Sequence, residues 1–265
     1  MAAMTDAAQG AAAHPLWGWA VESWRWGWAN LDDPVGPLLA EHMLLSYASV
    51  AIGLVLAVPL GVLSVRYRAV YPPVLGGVNA LYAIPSLALF FLLLPYTSFS
   101  PWTAIIPLAL YTLAILVPNV VDGLNQVPEH VRQAAVAMGF GPLRRLLRVE
   151  LPVAVPVIIA GLRVASVATI SMVSVASLVG LGGLGGIILT YGFARDFVAP
   201  VVVGIALSVA LAFATDGLLV LTQRALTPWA RDRRPARRIR RSGAGRPPVR
   251  RSPPPAARAG KEEAV

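Results

Sequence analysis

The side chains that most often carry out enzymatic chemistry are few in this chain and are not grouped along it. The chain has no cysteine, and its three histidines, His14, His42 and His130, fall in three different segments. Scattered single histidines provide neither the clustered ligands of a metal site nor the base that activates a nucleophile. We therefore predict no catalytic residue, no metal site and no cofactor bound by this chain.

A glycine-rich run, Gly180–Gly186, is the one pattern that could be taken for a phosphate-binding loop. A P-loop needs Lys followed by Ser or Thr after its glycines, and a dinucleotide-binding fold needs a strand before them. This run lacks the Lys-Ser/Thr pair and follows a long apolar segment. The sequence therefore predicts a protein that is not an enzyme and does not itself hydrolyse ATP.

The composition indicates which secondary structure positions the functional residues. Hydrophobic residues make up 57% of the 265 residues and charged residues only 13%, whereas soluble domains have about 25% charged residues. A helix that crosses a bilayer needs about 20 apolar residues. We predict an all-α integral membrane protein whose membrane domain, residues 43–222, has five transmembrane helices at about 43–65, 74–95, 103–121, 153–179 and 198–221.

Two ionisable residues, Arg163 and Asp216, lie inside the fourth and fifth predicted spans. Charged groups at this depth are costly and usually face the interior of the helix bundle or one another. The two could form an intramembrane pair that holds the two spans together. The alternative is that each side chain reaches the lipid headgroups separately.

The distribution of basic residues predicts the orientation, because cytoplasmic loops carry the excess of Lys and Arg. Residues 66–73, 122–152 and 223–265 hold most of them, which places the N-terminus outside and the C-terminus in the cytoplasm. The extracytoplasmic residues 1–42 include a tryptophan-rich stretch expected to lie at the membrane interface. Residues 223–265 are rich in Pro and Arg, and we expect a disordered basic tail near lipid headgroups.

The predicted cytoplasmic loop 122–152 has an amphipathic pattern of its own. Pro128 begins a run of strong helix formers, Gly139 permits a turn, and a second short helix is expected at Pro142–Val149. Three arginines of this second helix, which could contact an acidic protein surface or lipid headgroups, are Arg144, Arg145 and Arg148. We therefore expect two short helices, bent at a glycine, that project from the membrane.

The same loop resembles the cytoplasmic loop of binding-protein-dependent ABC importer permeases. Their pattern is Glu-Ala-Ala, three residues, Gly, nine residues, Ile, one residue, Leu-Pro, and this chain keeps every spacing. The matching residues are Gln133, Ala134, Ala135, Gly139, Val149, Leu151 and Pro152. Gln133 and Val149 replace the Glu and the Ile of the pattern. Gln keeps the shape and hydrogen-bonding reach of Glu but lacks its charge, which affects a salt bridge to the ATPase and not the docking itself.

A second motif is similar to one of the osmoprotectant branch of these permeases, which takes up glycine betaine, carnitine and choline. Ala83–Leu89, in the second predicted span, reads Ala-Ile-Pro-Ser-Leu-Ala-Leu. Aromatic rings near it could face a quaternary ammonium group through cation–π contacts. The candidate residues of a translocation path are Tyr82, Pro85, Ser86 and Tyr111.

The resemblance implies the type I ABC importer permease fold and a multi-pass location in the cytoplasmic membrane. It also implies a cytoplasmic ATPase subunit that binds ATP and Mg, an extracytoplasmic substrate-binding protein, and a second copy of the chain or a sister permease. Two other functions remain open at this point. One is a permease for methionine or another small solute, and the other is a non-transporting membrane anchor that presents the basic tail; no nucleic acid is expected as a partner.

Overall fold

A computed structural model describes residues 16–227, and this part of the chain is almost wholly helical. Its longer helices are α1 (Leu16–Ala29), α2 (Gly36–Arg66), α3 (Tyr71–Ala83), α4 (Ser86–Thr97), α5 (Trp102–Asn125), α6 (Glu129–Ala137), α7 (Leu151–Ala176) and α8 (Val198–Leu226). Short helical turns join them at Leu31–Val35, Arg68–Val70, Pro142–Arg145, Leu146–Glu150, Ser177–Val179, Leu184–Gly186, Ile187–Gly192 and Phe193–Arg195.

Four continuous helical stretches within residues 16–227 are long and apolar enough to cross a membrane. They are Leu31–Arg66, Trp102–Asn125, Pro142–Val179 and Val198–Leu226. Each overlaps one of the predicted spans, namely the first, third, fourth and fifth. The protein is therefore a multi-pass helical membrane protein, with four spans, or five if the bent pair α3–α4 counts as one.

The second predicted span, 74–95, is not a single helix. It consists of α3 and α4, which are bent by 89° relative to each other. Ile84 and Pro85 between them have extended ψ angles of 131° and 130°, because proline has no N–H to continue a helix and disfavours helical backbone in the residue before it. The hydroxyl of Tyr111 donates a hydrogen bond of 2.6 Å to the Ile84 carbonyl, which the break leaves free.

Helices α2, α5 and α7 form the centre of the bundle. Gly61 of α2 lies opposite Val120 of α5, and Gly161 of α7 lies opposite Asn119 of α5. A Cβ at either glycine would come within 2.5 Å of that neighbour, so the missing side chains let these helices approach closely, as is usual in membrane bundles. α5 is consequently the most enclosed helix, with Leu108 and Leu116 fully buried.

Helix α8 lies at the edge of the bundle and is held partly by polar contacts. The Tyr47 hydroxyl of α2 and the Thr215 hydroxyl of α8 are 2.8 Å apart, and the Gln223 amide donates to the Pro156 carbonyl of α7 over 3.4 Å. α8 continues to Leu226, so the first residues assigned to the basic tail are helical instead. The remainder of that predicted tail, from residue 228, and residues 1–15 lie outside the described residues.

The predicted tryptophan-rich stretch forms helix α1, which packs against the segment between α7 and α8. The Trp26 ring lies 6.4 Å from the rings of both Tyr191 and Phe197. Trp24 and Trp28 are exposed on another face of α1. Indole rings at the surface of a membrane protein favour the headgroup region, and the interfacial position of α1 stays a prediction.

Candidate functional site

The motif-bearing loop, residues 126–150 (hereafter the 126–150 loop), begins with helix α6 and a tight stop at Gly139. The Gly139 N–H donates to the Val136 carbonyl over 2.9 Å, and the Phe140 N–H donates to the Ala135 carbonyl over 3.0 Å. This pair of bonds is the Schellman arrangement, which requires a residue in the left-handed conformation. Gly139 has a φ of 79°, so the backbone conformation explains why glycine stands at this place in the motif.

The second half of the loop differs from the predicted separate helix Pro142–Val149. A single helical turn, Pro142–Arg145, passes into a wider π-type turn, Leu146–Glu150, which runs on into α7 without a break. Pro152 has no N–H to donate, and it is accommodated directly after the wider turn Leu146–Glu150, at the second residue of α7. The second half of the loop and the membrane-spanning helix α7 are therefore one continuous helical stretch.

An ion cluster centred on Glu150 ties the parts of the loop together. The Arg145 Nε donates to a carboxylate oxygen of Glu150 over 2.7 Å, and the Arg132 Nε lies 3.8 Å from the same oxygen. The Arg132 Nη2 also donates to the Leu124 carbonyl, over 2.7 Å, at the end of α5. The cluster thus joins α5, α6 and the start of α7.

Sequence reasoning did not identify Glu150 or Arg132 as functional. The available signal was that Glu150 stands between Val149 and Leu151 at a position directly before a membrane span. An acidic group among apolar residues at a span boundary is costly unless a cation neutralises it. The same reasoning would have indicated a basic partner in the loop without saying which arginine supplies it.

The motif residues and two of the nearby arginines differ in how far they are buried. Ala135 is buried, Val149, Leu151 and Pro152 are half-buried, and Gln133, Ala134, Gly139, Arg144 and Arg148 are exposed. Large apolar side chains are exposed beside them, at Val136, Met138, Leu143 and Leu147. Apolar side chains flanked by arginines are typical of a protein-binding surface.

The arginines of the loop have different surroundings. Arg145 is engaged by Glu150, whereas the guanidinium of Arg144 lies 4.4 Å from the centre of the Phe140 ring. That stacking holds Arg144 at the surface beside the end of α6, where a cation–π contact leaves its N–H groups available to an acidic partner. Arg145 is therefore part of the internal framework, and Arg144 and Arg148 belong to the exposed surface.

The four predicted path residues lie together at the break between α3 and α4. The Tyr82 and Tyr111 rings are 5.7 Å apart in an edge-to-face arrangement. Pro85 and Ser86 form the start of α4. The Tyr82 ring is exposed, whereas Tyr111 is buried and its hydroxyl is occupied by the Ile84 carbonyl. Of the two rings, only that of Tyr82 is exposed in the single chain.

The structure brings Arg163 and Asp216 together. The Arg163 Nε and Nη2 donate to the two carboxylate oxygens of Asp216 over 2.6 and 2.8 Å. This two-point geometry is the strong form of an arginine–carboxylate contact. The pair joins α7 to the peripheral helix α8 near the middle of α7.

Comparison with known proteins shows the family to which the chain is similar. Residues 49–228 match the family described as binding-protein-dependent transport system inner membrane component. The osmoprotectant import permease protein OsmW of Salmonella typhimurium is 35% identical over 196 residues, which are 72% of this chain and 91% of that protein. The glycine betaine/carnitine/choline transport system permease protein OpuCD of Bacillus subtilis is 33% identical over 188 residues, which are 71% of this chain and 82% of that protein.

The fold is also that of a solved transporter. The described helices superpose on a chain of the MetNI methionine ABC transporter in an inward-facing conformation with a TM-score of 0.65, covering 74% of this chain and 99% of that chain at 24% identity. The fold is therefore that of the type I ABC importer permeases. Such permeases work with a separate ATPase subunit and a substrate-binding protein, and they have no ATPase site of their own. This chain belongs to the family of inner-membrane permease components of binding-protein-dependent ABC importers.

Proposed function

We propose that this permease translocates an osmoprotectant with a quaternary ammonium group, such as glycine betaine, choline or carnitine. The similarity to the osmoprotectant permease of Salmonella typhimurium, which extends over nearly all of that protein, carries the proposal. The likeness to the methionine transporter is below 25% identity and concerns the fold alone, so methionine is the solute against which the proposal is tested.

The 126–150 loop is the part that receives the force of ATP hydrolysis in this proposal. ATP and Mg bind to the separate ATPase, which faces the cytoplasmic side, and the N-terminus of the permease lies outside. The exposed apolar side chains of Val136, Met138, Leu143 and Leu147 would fill a groove of the ATPase, and Arg144 and Arg148 would meet acidic groups at its rim. The ion cluster at Glu150 links the loop to α5 and to the start of α7, and a displacement of the loop would pass through these links to α7.

A second permease copy or a sister permease completes the channel. Only 22% of an 18-residue apolar stretch of α8 is buried in the single chain. A helix this exposed, which carries Phe213 and Leu218 outward, is covered by lipid or by another permease. We propose that one chain alone does not enclose a path.

The exposed ring of Tyr82 is the candidate contact for the solute. A trimethylammonium group over an aromatic face gains a cation–π attraction of about 0.5–2 kcal/mol. Such a contact is weak enough to release a solute in transit. In this proposal the binding protein supplies most of the selectivity, and the permease supplies a path that tolerates the cation.

The test is solute uptake by vesicles that contain this chain, its ATPase and its binding protein. We expect ATP-dependent accumulation of radiolabelled glycine betaine or choline, and no competition from excess methionine. Accumulation of methionine in place of betaine would assign a different solute to the same mechanism. A Tyr82→Leu variant should raise the KM for the solute more than a Tyr82→Phe variant, because only the leucine removes the aromatic face.

Deletion of residues 231–265 separates transport from the alternative role of a membrane anchor. Family membership favours transport, so uptake should persist when the basic segment is removed. If all activity depended on that segment while membrane insertion stayed normal, the transport proposal would be contradicted.

A further inference from the structure

Three parts of the chain that are distant in sequence meet at the end of α7 opposite to the 126–150 loop. Glu41 and His42 are near the start of α2, Ile170 is in α7, and Gly183 and Leu184 belong to the glycine-rich run between α7 and α8. His42 is fully buried, and Ile170 and Leu184 are buried around it. A polar side chain in such a place needs partners for its hydrogen-bonding atoms.

Both ring nitrogens of His42 have partners. Its Nδ1 accepts a hydrogen bond from the Leu184 N–H over 3.2 Å, and its Nε2 lies 3.0 Å from the Ile170 carbonyl. Because Nδ1 is an acceptor, Nε2 carries the proton and donates to that carbonyl. One neutral imidazole therefore connects α2 to α7 and to the glycine-rich run at the same time.

Glu41 holds the neighbouring residues of the run. One of its carboxylate oxygens accepts a hydrogen bond from the Gly183 N–H over 3.2 Å. The backbone of Gly182 and Gly183 is left-handed, with φ of 60° and 74°. A Cβ on Gly182 would collide with the Glu41 carboxylate. The glycines thus allow the run to turn tightly enough to present its N–H groups to Glu41 and His42.

These contacts lie in the path by which a displacement of the 126–150 loop would reach the far end of the protein. The second half of the loop and α7 form one continuous helical stretch, Pro142–Val179. The glycine-rich run and the short turns after it connect that stretch to α8. α2 has no covalent link to either within this region. In addition to the packing of α2 against α5 and α7, the hydrogen bonds of His42 and Glu41 attach the start of α2 to the end of α7 and to the run.

We propose that Glu41 and His42 are positioning residues that make α2, the end of α7 and the glycine-rich run move as one body during the transport cycle. The inference rests on the proposed importer function for the direction of the cycle. It predicts that loss of the contacts uncouples solute movement from ATP hydrolysis. The solute, the ATPase and the binding protein are not contacted by either residue in this proposal.

The test uses the natural absence of cysteine in the chain. Leu184→Cys places a single thiol in the run and leaves its backbone N–H in place. A second single-cysteine chain, Leu108→Cys, reports on the fully buried centre of α5. Each is combined with His42→Phe, which keeps a ring and removes both hydrogen bonds, and with His42→Gln, whose amide can donate and accept. Labelling by a membrane-impermeant maleimide is measured in vesicles that contain the whole importer.

We expect His42→Phe to increase the labelling rate of Leu184→Cys by about ten-fold or more, as the loss of two hydrogen bonds implies. Labelling of Leu108→Cys should stay low, and His42→Gln should restore most of the protection. In the cysteine-free chain, His42→Phe should also raise the ATP consumed per solute taken up several-fold. Restored protection in His42→Gln, together with the raised ATP-to-solute ratio in His42→Phe, would show that His42 positions the helices and does not merely stabilise the whole fold.

Unchanged labelling of Leu184→Cys and an unchanged ATP-to-solute ratio in His42→Phe would overturn the proposal. Increased labelling of Leu108→Cys would also overturn it, because His42 would then support the whole bundle. If the unmodified importer takes up no betaine or choline, the proposed solute is wrong. The labelling rates would still decide the role of His42, since they do not depend on the solute.

Discussion

The two ends of α7 are attached to the rest of the bundle by different chemistry. At the 126–150 loop the contacts are ionic, from Arg145 and Arg132 to Glu150. The side chain of Arg145 is 31% exposed and that of Arg132 is 23% exposed. At the glycine-rich run the contacts are hydrogen bonds to backbone groups, made by a fully buried neutral His42 and by the Glu41 carboxylate. Long charged side chains at a wet boundary can exchange partners at low cost, whereas a buried imidazole with two partners cannot.

This difference indicates two mechanical roles along one helix. The loop end must adapt to an ATPase that changes its shape in every cycle, and ion pairs near water tolerate such changes because water stabilises the separated charges. The opposite end must keep one geometry while it moves. A short side chain bonded to backbone groups restricts that geometry more strictly, since neither partner has free rotatable bonds.

Among substitutions that remove a side-chain contact, the largest effect is expected from Glu150→Ala at the loop end. The substitution leaves two arginines without their shared carboxylate. The arginines left behind are partly exposed, so water compensates part of the loss, and we expect a cost of about 1.5–3 kcal/mol, as for a hydrogen bond to a charged group. Uptake in vesicles should fall by at least about ten-fold, and the ATPase should be recovered with the permease in lower yield.

Glu150→Gln is the matched control for this prediction. Its amide oxygen can still accept the hydrogen bond from Arg145 but lacks the charge. Uptake intermediate between wild type and Glu150→Ala would support an ionic contribution at this end. Wild-type uptake in both variants would contradict the importance of the cluster.

A smaller effect is expected midway between the two ends of α7. Asp216→Asn or Arg163→Gln breaks the two-point contact that attaches α8 and leaves one charge within the membrane. The amount of permease in the membrane should fall several-fold, as measured by immunoblotting. The double variant should be recovered better than either single variant, because it leaves no isolated charge. Wild-type abundance and uptake in both single variants would count against a structural role of the pair.

Gly139→Ala tests the shape of the loop without touching its charges. No atom would contact a Cβ at Gly139, so the only cost is the left-handed backbone, about 1–2 kcal/mol. Uptake should fall by roughly five-fold, the factor that corresponds to the lower end of this range. Gly141→Ala is the control, since Gly141 has a φ of −65° and open space around it. Equal uptake in the two variants would show that the turn is not under conformational constraint.

The smallest effect is expected from Tyr111→Phe, which removes one neutral hydrogen bond at the break between α3 and α4. Tyr111 packs in the same core cluster as Val179 and Leu181 beside the glycine-rich run. The net loss should be about 1 kcal/mol, visible as a modest fall in thermal stability of the purified permease. A large loss of uptake at unchanged stability would instead place the hydroxyl on the solute path.

The sequence predicted most of the spans and the stop at Gly139, because both follow from local properties. Apolar length determines a span, and only a residue that tolerates positive φ ends α6 in this way. The sharp bend at Pro85 was not predicted, since prolines occur in membrane helices either as mild kinks or as complete breaks. Pro107 and Pro118, for example, lie inside the continuous helix α5.

Contacts between distant residues were harder to predict. The Arg163–Asp216 pair could be suggested because both residues are ionisable and lie inside apolar spans at similar depths. Arg132 and Glu150 were not paired in advance, because several arginines of the loop were equally close in sequence. His42 was set aside as a single scattered histidine, and its partners are backbone groups, which leave no mark on a sequence.

The most direct test of the account is to compare ATP-driven uptake of glycine betaine by wild type, Gly139→Pro and Gly141→Ala. Proline cannot adopt the φ of 79° found at Gly139, so the variant loses the turn that shapes the 126–150 loop. The account predicts normal membrane insertion of all three proteins, normal uptake with Gly141→Ala and no uptake with Gly139→Pro. Undiminished uptake with Gly139→Pro would contradict the claim that this loop transmits the work of the ATPase to the membrane helices.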